Sequence, residues 1–180
     1  VDPDAVRHAT ARAASSLFVF ASKSGSTVEP NVMAAEARRR VTESGHAAWA
    51  SQFIAITDAE TALHRQAVND GFRDVFVNPT DIGGRYSALS FFGMLPAALI
   101  GIDLEAVITE ARAMDAACRA TRTIENPGFA LGALMGAGAN NGRDKLTLLL
   151  PPRLQSLGLW IEQLVAESTG KSGKGIVPVA

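Results

Sequence analysis

The sequence has little cysteine and little histidine, and these shortages exclude several kinds of site. Its 180 residues contain one cysteine, Cys118, and three histidines. One cysteine cannot form an internal disulfide, and together with three histidines it provides no Cys/His cluster for zinc. We therefore expect neither a disulfide scaffold nor a metal site, and a reducing cytoplasm is the natural compartment.

The chain also lacks an excess of one charge and a long apolar run. Its 17 basic and 18 acidic side chains give a net charge of −1, so no global field attracts nucleic acid or an anionic membrane. The longest nearly uncharged stretch, Tyr86 to Ile102, is short for a membrane span and contains Gly93 and Pro96, which favours a buried helix. No basic segment precedes an apolar core at the N-terminus, so no secretory signal is expected. Since the sequence begins with Val1 and not Met, we expect it to be part of a longer protein.

The apolar residues that are present, 47% of the chain with cysteine and tyrosine included, suffice for one domain with a full core. Four nearly continuous apolar runs predict strands of a parallel sheet covered on both faces. They are Leu17 to Ala21, Gln52 to Thr57, Asp74 to Asn78 and Leu146 to Leu150. Helices are predicted at Val32 to Ser44, at Ala59 to Asp70 after Asp58, over Ser87 to Ala120 with a break at Gly101, at Pro127 to Met135 before a loop from Gly136 to Gly142, and at Leu157 to Ser168. The order is typical of a doubly wound α/β fold.

The segment LFVFASKSGSTVEP, from Leu17 to Pro30, has the pattern of a phosphate-binding loop. An apolar strand changes abruptly to small, hydroxyl-bearing and basic residues, and a helix start follows. Such a turn presents hydroxyls and backbone N–H groups beside the positive end of a helix dipole. The candidate donors are Ser22, Lys23, Ser24, Ser26 and Thr27.

The start of that helix has two interpretations. Ser26 and Glu29 have the spacing of a capping box, whereas Pro30 fits best inside the first turn of a helix. Either interpretation puts Thr27 at or next to the N-terminus of the helix. The simpler alternative for the whole segment is a capped helix after a buried strand, with no ligand.

A second segment, Asp81 to Ser87, follows the third predicted strand and contains the sequence GGRYS. Its paired glycines, Gly83 and Gly84, permit unusual backbone geometry and close approach, and they place Arg85 at the mouth of a helix. A guanidinium there suits an anion or a developing enolate charge. The alternative is a surface arginine in a glycine turn.

A third segment, Gln163 to Lys171, ends in the sequence ESTGK. Glu167 lies at the end of a mostly apolar helix, where the negative end of the helix dipole opposes its charge. This position is expected to raise the pKa of Glu167 and suits a general base. The alternative is a solvated residue in the last turn. A nucleotide P-loop is excluded because Val165 occupies the position of its first glycine.

Taken together, the three segments resemble the signatures of one family, phosphoglucose isomerase. Residues 22–29, SKSGSTVE, match its phosphate-loop pattern S-K-[TS]-x-x-T-x-E, and residues 83–87 match its G-G-R-[YF]-S pattern. Gln163, four residues before the ESTGK sequence, matches the third signature. The agreement runs in order from about Leu17 to Pro178. The sequences of residues 85–90, RYSALS, and of residues 166–171, AESTGK, are most similar to the isomerase half of bifunctional transaldolase/phosphoglucose isomerases.

The resemblance implies an aldose–ketose isomerase that interconverts glucose 6-phosphate and fructose 6-phosphate through a cis-enediolate. The substrate phosphate would be held by Ser22, Lys23, Ser24 and Thr27. Glu167 would be the base, Arg85 would stabilise the enediolate, and Gln163 would orient the substrate. No metal or organic cofactor is implied. A non-catalytic sugar-phosphate-binding module of the same fold is the alternative.

The fold implied by the resemblance is a sugar isomerase (SIS) domain, a three-layer αβα sandwich with a mainly parallel sheet, here incomplete. Residues 1–150 would form an SIS domain without its N-terminal part, and residues 151–180 would begin a second. The family's upstream glycine turn has no counterpart before Leu17, and its ring-opening histidine and lysine belong beyond Ala180. His46 and His64 match neither. We therefore expect this piece to be inactive alone. The resemblance implies that the complete protein is a homodimer, and the single cysteine favours a cytoplasmic protein.

Overall fold

The computed structural model describes residues 2–179 and divides into two compact units, Val1–Leu104 and Glu105–Ala180. Helices α1 to α7 are Pro3–Ala9, Val28–Glu43, Ala62–Asp70, Phe91–Leu99, Leu104–Cys118, Pro127–Asn140 and Gln155–Thr169. Strands β1 to β5 are Phe18–Ala21, Phe53–Asp58, Asp74–Asn78, Lys145–Thr147 and Val177–Val179. None of the helices in this part of the chain has the length and apolar character needed to cross a membrane.

The first unit contains a parallel sheet with the strand order β1-β2-β3. Phe18 pairs with Phe53, and Ala55 pairs with Val75. All six residues of the central strand β2 are buried, as expected for a strand covered on both faces. The predicted parallel α/β order is therefore confirmed over the first eighty residues.

Helices cover both faces of this sheet. Side chains of alternate residues along a strand point to the same face of a sheet. On one face, side chains of β1 and β2 pack against α2 and α3. The buried residues of this core are Phe20, Ala37, Val41, Phe53, Ala55, Leu63 and Ala67. On the opposite face, the ring of Phe76 in β3 lies 5.4 Å from that of Phe91 in α4. The arrangement is a three-layer αβα sandwich, as predicted.

Helix α3 and the long apolar segment differ from the sequence predictions. Helix α3 begins at Ala62, after Thr61, whose Oγ1 accepts a hydrogen bond from the His64 N–H at 3.1 Å. Asp58 therefore does not start the helix. The segment after residue 84 is a 3₁₀ turn followed by α4 and α5, and the predicted break lies at Gly101, which has φ +83°. The prediction of a buried helix there is wrong, since α4 has no fully buried residue.

The second unit contains a β-α-β arrangement. Strands β4 and β5 pair in parallel, with Leu146 opposite Pro178, and α7 connects them. The predicted strand at this place is shorter than expected, and the strand at Val177–Val179 was not predicted. The predicted loop from Gly136 to Gly142 is wrong over most of its length, because α6 continues to Asn140. Alanines between its glycines keep the helix intact.

Candidate functional site

The loop at residues 22–27, here called the phosphate loop, leaves the carboxyl end of β1 and enters α2. Ser22 continues the sheet, since its N–H donates to the Ile56 carbonyl at 3.0 Å. Its side chain is buried, and its Oγ accepts a hydrogen bond from the Gly25 N–H at 3.1 Å. The Ser22 hydroxyl therefore closes the loop from within.

Gly25 is the one position in the phosphate loop that requires glycine. It has φ +69°, in the left-handed region that side chains disfavour. A Cβ at this position would lie 2.6 Å from the Leu63 backbone nitrogen and 2.9 Å from the Leu63 Cβ. Because Leu63 is a buried core residue of α3, it cannot yield. Helix α3 thus fixes the path of the loop.

The exposed hydroxyls of the loop gather at the N-terminus of α2. Ser24 Oγ lies 2.8 Å from Ser26 Oγ and accepts a hydrogen bond from the Ser26 N–H at 3.2 Å. The capping box predicted for Ser26 is therefore wrong, because the N-cap is Thr27 and its side chain makes no capping bond. Pro30 lies in the first turn, as predicted. Ser24 and Thr27 are exposed beside the positive end of a 16-residue helix, which suits an anion.

Asn31 anchors the phosphate loop, and sequence reasoning missed it. Its Nδ2 donates to the Thr27 carbonyl at 2.7 Å and to the Gly25 carbonyl at 3.1 Å. The side chain thereby ties two loop carbonyls to the first turn of α2. An asparagine four residues after the N-cap was the available signal, because its short amide readily bonds nearby backbone groups.

Lys23 points its ammonium at a carboxylate. Its Nζ donates to Asp58 Oδ2 at 2.5 Å and to the Thr80 carbonyl at 2.8 Å. Asp58 ends β2 and is largely buried. Sequence reasoning gave Asp58 only the role of preceding a helix. The usable signal was an acidic residue at the end of the strand adjacent to that of Lys23, because parallel strands end at one edge of the sheet.

Arg85 lies in a 3₁₀ turn, Gly84–Leu89, which we call the arginine turn. Gly83 precedes it with an ordinary φ of −66°, and a Cβ on Gly84 would meet nothing within 4 Å. The predicted unusual backbone at these two glycines is therefore wrong. The turn is held by a hydrogen bond from the Tyr86 N–H to the Gly83 carbonyl at 2.9 Å.

Gly93 is the glycine that this region requires. A Cβ on Gly93 would lie 2.0 Å from the Ala88 carbonyl oxygen. The first turn of α4 can therefore approach the arginine turn only because Gly93 has no side chain. Ser90 strengthens the junction, since its Oγ donates to the Ser87 carbonyl at 2.7 Å and accepts from the Phe92 N–H at 3.3 Å.

The structure brings the phosphate loop and the arginine turn to one edge of the first sheet. The loop follows β1 directly, and the turn follows β3 after five residues. The Lys23 bond to the Thr80 carbonyl joins the loop to the segment that leads to the turn. The carboxyl edge of a parallel sheet is the usual ligand position in such folds.

Glu167 and Gln163 belong to the second unit and are one turn apart on α7. Gln163 Nε2 donates to Glu167 Oε1 at 3.5 Å, and both side chains are exposed. This contact is longer than an ordinary hydrogen bond and is exposed to water, so it is weak. Their spacing of four residues puts the two side chains on one face of α7.

The residues after Glu167 end the helix and reverse the chain. The Gly170 N–H donates to the Ala166 carbonyl at 2.8 Å, and a Cβ on Gly170 would lie 2.6 Å from that oxygen. Lys171 and Lys174 then exchange two backbone hydrogen bonds of 2.9 Å across a tight turn. The ESTGK sequence therefore fixes where the helix carrying Glu167 stops.

Two comparisons of the sequence with known proteins agree. The family model of phosphoglucose isomerase matches residues 1–175. The glucose-6-phosphate isomerase of Parasynechococcus marenigrum is 39% identical over 177 residues, which are 95% of this chain and 32% of that protein. The glucose-6-phosphate isomerase of Synechococcus elongatus is 37% identical over 163 residues, which are 89% of this chain and 30% of that protein.

Two solved structures are similar to almost the whole chain. A hypothetical protein from Thermus thermophilus superposes with a TM-score of 0.87 at 27% identity, covering 99% of this chain and 45% of that one. A glucose-6-phosphate isomerase from Chlamydia trachomatis superposes with a TM-score of 0.80 at 26% identity, covering 99% of this chain and 35% of that one. The chain spans about a third of the length of the curated relatives described above. The chain belongs to the phosphoglucose isomerase family.

Proposed function

We propose that the intact protein containing this chain interconverts glucose 6-phosphate and fructose 6-phosphate. The observation that carries the proposal is the common sheet edge shared by the phosphate loop and the arginine turn. This edge carries both an anion-binding loop and the turn that contains Arg85, and an isomerase of a phosphorylated sugar requires an anion site and a cationic group. The names of the two cyanobacterial relatives support the same reaction.

In the proposed binding step, the phosphate group lies at the N-terminus of α2. Ser24 and Thr27 donate hydroxyl hydrogen bonds to it, and backbone N–H groups of the loop add further donors. Ser22 and Asn31 hold the loop in shape through the bonds described above. The helix dipole and the hydroxyls stabilise the phosphate charge in this step.

In the proposed chemical step, Glu167 takes the proton from C2 of the open-chain aldose. The C2–H electron pair forms the C1–C2 double bond while the π pair of the C1 carbonyl moves to O1, which gives a cis-enediolate whose negative charge Arg85 stabilises. Glu167 then returns the proton to C1, the hydroxyl proton of O2 passes to O1, and the electron pair left on O2 forms the ketose carbonyl. Gln163 orients the substrate, and it lies one turn before Glu167 on α7.

We further propose how the protein is organised. The intact enzyme is a cytoplasmic homodimer. Its isomerase part is fused to a transaldolase, a proposal supported by the sequences around Arg85 and Glu167. The isolated 180-residue chain has little or no activity, because the ring-opening histidine and lysine of the family have no counterpart in it. Purification of both forms and a comparison of their isomerase activity test whether the isolated chain is inactive.

The function is tested by a coupled isomerase assay on the intact protein and on two glutamate variants. Glu167→Gln removes the base, and we expect kcat to fall by about 10²- to 10⁴-fold. Glu162→Gln removes another exposed carboxylate of the same helix and serves as the matched control, with activity unchanged.

Two outcomes would contradict the proposal. Full activity of Glu167→Gln would show that the base is assigned to the wrong residue. An intact wild-type protein that binds fructose 6-phosphate but has no isomerase activity would instead be the non-catalytic binding module that the same fold can form.

A further inference from the structure

Lys23 connects three strand ends at the edge that carries the phosphate loop. The residue lies in the loop after β1, its ammonium bonds the Asp58 carboxylate at the end of β2, and it also bonds the Thr80 carbonyl beyond β3. Its main chain is attached as well, since the Lys23 carbonyl accepts from the Asp58 N–H at 3.2 Å. Side chain and backbone thus fix the second residue of the loop to the neighbouring strand.

The charge of Lys23 is compensated by Asp58. The Asp58 side chain is 11% exposed and that of Lys23 is 35% exposed, so the pair is partly shielded from water. The other carboxylate oxygen, Asp58 Oδ1, is buried and has no hydrogen-bond partner among the described residues. Lys23 is therefore the counter-charge that permits this carboxylate to lie inside the fold.

Such an ammonium contributes little attraction to a phosphate in the loop. The nearby Asp58 carboxylate cancels most of the electric field of the Lys23 ammonium. The ammonium is also held in place by its hydrogen bonds to Asp58 and to the Thr80 carbonyl. The exposed loop donors that remain are hydroxyls and backbone N–H groups. The lysine of the phosphate-loop signature then has a different task from that of its serine and threonine neighbours.

We propose that Lys23 is a positioning residue, which holds the phosphate loop in its binding shape through Asp58 and does not itself bind the phosphate. The inference rests on the proposed function, because it assigns the same loop to a sugar phosphate. It predicts that Lys23 and Asp58 act as one unit, and that losing either weakens phosphate binding.

The test measures the Kd for inorganic phosphate by calorimetry on the intact protein, at a temperature where circular dichroism shows each variant folded. Lys23→Met and Asp58→Asn should each raise the Kd about 10-fold or more, as expected when a group that orients a binding site is lost. The double variant should bind no worse than Lys23→Met alone, because both changes remove one connection. Lys145→Met, at an exposed ion pair with Asp144, is the control and should leave the Kd within about twofold.

Asp58→Asn distinguishes the two roles of the lysine. If Lys23 binds phosphate directly, removal of the competing carboxylate frees the ammonium and tightens binding, and this outcome overturns the inference. Steady-state kinetics give a second readout: KM for fructose 6-phosphate should rise in both variants while kcat stays within about twofold, since Glu167 is intact. If Lys23→Met does not fold, Asp58→Asn alone decides.

Failure of the inference and failure of the proposed function remain separable. An intact protein without isomerase activity refutes the function, while the phosphate Kd values still report on Lys23. A wild-type protein that does not bind inorganic phosphate overturns the inference itself.

Discussion

Replacing Gly25 with alanine tests whether helix α3 sets the shape of the phosphate loop. The new Cβ would lie 2.6 Å from the Leu63 nitrogen, and reaching the 3.4 Å of ordinary contact requires a displacement of about 0.8 Å. Leu63 is 1% exposed and packed in the core, so the loop has to move and the helix does not. The clash between the new Cβ and Leu63 is therefore relieved by a displacement of the phosphate loop, which alters the binding site.

The expected loss of stability is the sum of a backbone-conformation cost and an overpacking cost. A left-handed φ costs an L-residue about 1–2 kcal/mol, and overpacking against a rigid neighbour costs about 1–3 kcal/mol. We expect Gly25→Ala to lower the free energy of unfolding by about 2–5 kcal/mol. A displacement of about 0.8 Å also takes a hydrogen bond of normal length beyond its limit, and loss of one such bond to a charged group costs about 1.5–3 kcal/mol. Phosphate affinity should then fall by about 10- to 100-fold.

Gly71→Ala is the matched control. Gly71 has φ +72°, close to the +69° of Gly25, but a Cβ there would meet nothing within 4 Å. It should lose only the conformational term, about 1–2 kcal/mol, with unchanged phosphate binding. Urea unfolding and phosphate calorimetry on the intact protein measure both quantities. Equal losses of stability and equal phosphate Kd values in the two variants would refute the steric argument.

Two further substitutions test the arginine turn and the surface of α2. Gly93→Ala should displace the turn that carries Arg85, because the new Cβ would lie 2.0 Å from the Ala88 carbonyl oxygen. We expect kcat for isomerisation by the intact protein to fall at least about tenfold. An unchanged kcat would contradict this expectation. Hydrogen bonds from Arg39 and Arg40 lower the pKa of Glu36 from 4.5 to about 2. A lowered pKa stabilises the fold above pH 4.5, and this contribution is lost as the pH falls towards 2, so the stability difference between wild type and Glu36→Gln should shrink over that range in urea unfolding. A difference independent of pH would show that these ion pairs do not matter.

Local patterns predicted the layered fold well, because hydrophobic periodicity and helix stop signals act over a few residues. The third strand was predicted with its observed bounds, Asp74–Asn78, and the break at Gly101 was also correct. In the helices, errors arose where helix propensity or a competing N-cap decided the outcome. The run from Gly136 continues as helix since alanines separate its glycines, and the start of α3 depends on Thr61.

In the candidate site, the placement of the loop hydroxyls, which follow one another in the chain, was predicted correctly, whereas contacts between distant residues were missed. Sequence indicated the hydroxyls at the start of α2, because a strand, a polar turn and a helix start are adjacent in the chain. The pairing of Lys23 with Asp58, 35 residues away, was missed, because it follows only when both residues are placed at the ends of adjacent parallel strands. Sequence could not indicate that Gly25 faces Leu63, since no local pattern brings α3 to the loop. The glycine pair beside Arg85 was misread for a different reason: the steric requirement belongs to Gly93, whose Cβ would meet the nearby Ala88 carbonyl oxygen.

These distant contacts change what the phosphate-loop signature means physically. Of its residues, Ser24 and Thr27 expose hydroxyls to a ligand, whereas Ser22 and Gly25 bond to each other inside the loop. A chain can therefore carry both exposed hydroxyls and still bind phosphate poorly if the loop loses its shape. A loop of this kind should tolerate exchange of serine and threonine at position 24, which keeps the donor. It should not tolerate alanine at position 25, where the partner is a core residue of α3 and there is no room for a methyl group.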